Sequence, residues 1–88
     1  MSTAIINTEE SLVKEYNKLH SETIRLGNYI DAATREALSA LKKNDYGTTE
    51  VALLTKLSFQ KQLNTKLDEM LSILKKLKEI KPSSNLNS

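Results

Sequence analysis

From Val51 to Ile80 no Gly or Pro interrupts a run dense in leucine. Leu53, Leu54, Leu57, Leu63, Leu67, Leu71, Leu74 and Leu77 stand in it, with Phe59, Met70, Ile73 and Ile80 among them. At about 100° per residue these apolar side chains, Leu54 excepted, fill an arc of about 220°, wider than the stripe that a single partner helix covers. The stretch therefore reads as one long helix that packs on more than one neighbour. Pro82 ends it, and Lys75, Lys76, Lys78 and Lys81 crowd its last turns, where cations suit the helix dipole.

A second helix precedes it. Leu12, Tyr16, Leu19, Thr23, Leu26, Ile30, Ala33, Ala37 and Ala40 alternate at spacings of four and three, the seam pattern of a coiled coil. The pattern keeps its phase through Gly27, which favours one helix from about Thr8 to Lys43. The rival reading breaks it at Gly27-Asn28 and gives three helices. Asn7 is the expected N-cap, with Glu10 three residues on as its reciprocal acid. Residues 1–7 are expected to be flexible, and so is the Ser- and Asn-rich tail 82–88.

Asn44-Asp45-Tyr46-Gly47 is the strongest turn signal in the chain. The expected turn is 44–48, with Gly47 free to adopt positive φ and Thr48 or Thr49 capping a helix over about 49–81. So short a connection makes the helices antiparallel neighbours. The small residues Ala33, Ala37 and Ala40 would let them approach closely near the turn. The expected fold class is all-α: an antiparallel, coiled-coil-like hairpin that assembles into a bundle of four or more helices.

Composition narrows function mostly by subtraction. The 88 residues make one small domain, marginal if left alone. With no Cys there is neither a disulfide framework nor a thiolate metal site. His20 is the only His and has no second ligand of its kind, so no metal and no cofactor are expected. Asp68 and Glu69 are adjacent and diverge by about 100° on a helix. Glu15 with Lys18, and Glu22 with Arg25, read as ordinary solvent-face pairs. No phosphate loop or catalytic motif is present, and an enzyme is not expected. No signal peptide or membrane-length apolar run is seen, which points to the cytoplasm with unconventional export left open.

The reading that remains is partner binding. With Leu57, Leu67, Leu71 and Leu74 facing the first helix, Phe59, Met70, Ile73, Leu77 and Ile80 would form a free apolar flank, the expected binding surface for a protein partner or a second copy. Thr23, Gln60 and Asn64, polar at or beside the seams, are candidates for fixing register or partner choice. In outline such a hairpin resembles small helical proteins of bacterial export machines, such as needle subunits and their co-chaperones, although the turn lacks the proline-bearing loop common in needle subunits. That resemblance implies a structural subunit, an assembly adaptor or a dedicated chaperone. The alternative is a basic hairpin dimer binding nucleic acid, resembling plasmid-type RNA-binding hairpins. It would use Lys56, Lys61 and Lys66, but Asp68 and Glu69 interrupt that line and the net charge is only +2.

Overall fold

Two long helices, α1 (Ser2–Lys42) and α2 (Tyr46–Ile80), pack side by side as an antiparallel hairpin. The structure, a computed structural model, describes the backbone of residues 2–80 and the side chains of residues 8–80. Among the described residues there is no strand. The expected flexible tail 82–88 lies outside the described residues, as does Lys81.

α1 runs through Gly27 without a break, so the three-helix reading does not hold. It also begins earlier than expected. Asn7 lies inside the helix rather than at its cap. No Gly or Pro separates Ser2 from Thr8, and extending a formed helix by one turn costs little compared with nucleating a new one.

The turn is tighter than expected and uses other residues. Asn44, not Gly47, takes the left-handed conformation, at φ 59°. The Asn44 N–H donates to the Leu41 carbonyl at 3.0 Å and the Asp45 N–H to the Ala40 carbonyl at 2.9 Å, the two-bond closure of a Schellman motif. Asp45 then caps α2 in place of Thr48 or Thr49. Its carboxylate accepts from the Thr48 backbone N–H at 3.1 Å and from the Thr48 hydroxyl at 2.7 Å. One residue thus closes α1 and opens α2, which fixes the rotation of one helix relative to the other.

That rotation decides which face of α2 meets α1. Ala33, Ala37 and Ala40 of α1 are buried, and so is Ala52 of α2, so the helices approach closely beside the turn. Toward the open end larger residues take over: Leu19, Met70 and Ile73 form the buried cluster, with Leu12, Tyr16 and Leu77 packed against it. Between these regions the Tyr29 and Phe59 rings lie 5.1 Å apart, tilted by 33°.

The α1 seam therefore matches the expected four-three series, whereas the α2 seam does not. It runs Ala52, Lys56, Phe59, Leu63, Lys66, Met70, Ile73, Leu77 and Ile80, all buried or half-buried. Phe59, Met70, Ile73, Leu77 and Ile80, expected on a free flank, are the inner face of the hairpin. Leu57, Leu67, Leu71 and Leu74, expected to face α1, are exposed. The reason lies beside the turn. With α2 in its observed phase, Ala52 falls opposite the α1 alanines. Rotating α2 to bury the leucines would put Leu53 there and hold the helices apart.

Candidate protein-interaction face

The hairpin is a slab, 63 × 27 × 14 Å along its principal axes, and its two broad faces differ in chemistry. In an antiparallel pair, residues that immediately precede a seam position lean to one broad face on both helices, and those that follow lean to the other. The shallow clefts between the helices confirm the first set. They are lined by Glu15, Glu22, Arg25, Tyr29, Ala32 and Glu36 of α1 with Thr55, Gln62, Lys66, Glu69, Ser72 and Lys76 around the α2 seam. This face is charged and polar. Lys66, although in the seam, reaches onto it, and its Nζ lies 3.2 Å from Glu22 Oε1. A long stem packed along the seam with its charge at the edge is the usual way a lysine is accommodated there.

The opposite face carries the residues that follow the seam. On α2 these are Leu53, Leu57, Gln60, Asn64, Leu67, Leu71, Leu74 and Lys78, again at spacings of four and three. The five leucines are 40–64% exposed. On α1 the same face holds Val13, Asn17, His20, Ile24, Gly27, Asp31, Thr34, Leu38 and Leu41. Val13, Ile24, Leu38 and Leu41 are exposed too. Asp31 and Lys78 are the only Asp, Glu, Lys or Arg in these two series. α2 thus has two adjoining seams, and α1 covers one of them.

The leucine stripe is broken once, by amides. Gln60 Nε2 donates to Asn64 Oδ1 at 3.2 Å. Thr23, the third polar residue singled out from the sequence, is satisfied within its own helix, its hydroxyl donating to the His20 carbonyl at 2.6 Å. Gly27 lies level with the amide pair, as the Glu22–Lys66 and Tyr29–Phe59 contacts on either side of it show. A Cβ at Gly27 would meet nothing within 4 Å.

Of the expected binding residues, none lies on this face. Met70 and Ile73 are buried, Leu77 packs on them, and Phe59 and Ile80 are half-buried. The residue following each of Met70, Ile73 and the seam lysines marks the exposed stripe instead. The signal that finds it is the second four-three series, shifted by one residue from the first.

The ionisable groups show little organisation of their own. Lys56 is half-buried in the seam, Lys76 borders the charged face and Lys78 lies on the leucine face, so the lysines make no single stripe. Among the described residues no three of His, Asp and Glu converge as a metal-binding group. No described helix is long and apolar enough to cross a membrane. No protein-family model, no curated protein and no solved structure matches this chain.

Proposed function

We propose that this chain is a helical protein-interaction module, a structural subunit, assembly adaptor or dedicated chaperone within a larger complex such as an export apparatus, and that it binds amphipathic helices through its leucine face. The observation that carries the reading is the second seam on α2: Leu53, Leu57, Leu67, Leu71 and Leu74 in coiled-coil spacing, each at least two-fifths exposed. Fully burying a leucine is worth about 1.5–3 kcal/mol. An exposed apolar stripe of this kind marks an interaction surface, and helix-in-groove recognition reads apolar anchors at this spacing.

Leu67→Glu with Leu71→Glu tests it. Both side chains are exposed, so the hairpin should keep its helical circular dichroism while losing association, measured as concentration-dependent melting and as capture of other chains from the source cell. Wild type and double variant that melt and capture alike would remove the leucine face from the function.

A further inference from the structure

We infer that a second copy of this chain covers the leucine face, with α2 antiparallel on the second copy's α2 about a twofold axis at Gln62 and the two turns at opposite ends. This rests on the interaction reading above and names its occupant. The six stripe positions from Leu53 to Leu71 are their own complement when reversed, and Leu74, beyond them, falls opposite Glu50. Leu53 and Leu71 stand equally far from Gln62 in sequence, as do Leu57 and Leu67, and Gln60 and Asn64. Over these six positions antiparallel pairing about Gln62 sets leucine on leucine and amide on amide, the self-complementarity that an isologous interface requires.

Three further observations fit this arrangement. The Gln60–Asn64 hydrogen bond uses one amide donor and one carbonyl, leaving the Gln60 carbonyl and the Asn64 amide group to face their counterparts across the axis. A one-heptad slip would set these amides against leucine, so the polar layer fixes register. Glu50, which continues the stripe three residues before Leu53, and Lys75 on its flank stand 12 and 13 residues from Gln62, which brings each near the other's counterpart and pairs opposite charges twice. Gly27 lies level with the axis. It has neither positive φ nor a neighbour that would meet a Cβ, so nothing within the hairpin calls for glycine in mid-helix, where it is unfavourable. Across a twofold axis it would let α1 of one copy pass close to α1 of the other.

The size also suffices. From Leu53 to Leu74 the stripe runs on the order of 30 Å, and two helices of ~10 Å diameter give roughly 600 Å² in projection. Accessible area exceeds projection, which brings the face near the ~800 Å² per partner of a standard interface.

The chain has no Cys, so a spin label on Lys43→Cys, in the exposed turn, reports the arrangement directly. Sedimentation equilibrium should show a dimer, and the label-to-label distance should be about 50 Å, twice the ~25 Å from the axis to the turn. Gly27→Glu, whose side chain enters open space in the hairpin, should weaken the dimer at least tenfold without loss of helical signal. A dimer with turns about 20 Å apart, two helix spacings, overturns the proposal, as does a Gly27→Glu dimer of unchanged affinity. A wild-type monomer that captures another chain only while Leu67 and Leu71 are intact overturns self-pairing and leaves the interaction reading standing. A monomer that captures nothing overturns both.

Discussion

Asp45 ends one helix and begins the next, so its chemistry is felt at both. The Thr48 hydroxyl and backbone N–H hold its carboxyl below the ordinary carboxylate range, with the nearby Lys43 ammonium adding to the effect. A carboxylate favoured by folding stabilises the fold above its unfolded pKa and stops doing so as pH falls through the lowered folded value. The cap should therefore be at full strength at neutral pH and weaken below about pH 4. Asp45→Asn keeps a capping oxygen without the charge, so urea midpoints of wild type and variant should converge on acidification from pH 7 to about pH 3. Asn44, beside it, takes the left-handed conformation, and Asn44→Val should destabilise, because a β-branched side chain at φ 59° is strained. Gly27 makes the opposite prediction. It lies in a continuous helix with open space beyond its α-carbon. Gly27→Ala should stabilise the hairpin by about 0.5–1 kcal/mol in chemical denaturation, measured in the Leu67→Glu, Leu71→Glu background so that association does not contribute.

At the scale of the helices, α1 was legible and α2 was legible only in part. Every α1 seam position from Leu12 to Ala40 is apolar, apart from Thr23, and its four-three spacing points to one face. α2 carries two such series one residue apart. The buried one includes Lys56 and Lys66, and the exposed one holds five leucines. Hydrophobicity alone selects the leucines for the seam and leaves Phe59, Met70, Ile73, Leu77 and Ile80 on the free flank. What decides between the series is the turn, and the deciding features are conformational: Asn44 in the left-handed region, Asp45 as cap, and Ala52 opposite the small α1 residues. The width of the apolar arc was readable; its division was not. Neighbouring substitutions test the division. Ile73→Ala, at a 7% exposed position, should cost about 2 kcal/mol or more of hairpin stability. Leu71→Ala, on the exposed stripe, should stay within about 0.5 kcal/mol in a variant that does not associate.

As a whole molecule the hairpin is one layer thick, and a single layer leaves little inside. Its buried cluster comprises Leu19, Met70 and Ile73, and among the described residues no large side chain is less than 2% exposed. Domains bury apolar area by stacking layers; the proposed second slab on the leucine side would supply such a layer and leave the charged face to water. The electrostatics point the same way. Glu15, Glu22, Glu36 and Glu69 share the charged face with Arg25, Lys66 and Lys76, and Lys66 is already paired with Glu22, so these clefts carry no excess of positive charge. Association driven by leucine burial should raise the melting temperature as protein concentration rises, because a partner that binds only the folded state stabilises it by mass action. That gain should change little between about 50 mM and 500 mM salt, since screening weakens exposed charge pairs while apolar contacts persist. Binding through lysines to a nucleic-acid backbone would behave in the opposite way, losing affinity steeply over the same range. Melting curves over a hundredfold concentration series at the two salts separate these cases. A concentration dependence that vanishes at high salt would mean that charge, and not the leucine face, holds the assembly together.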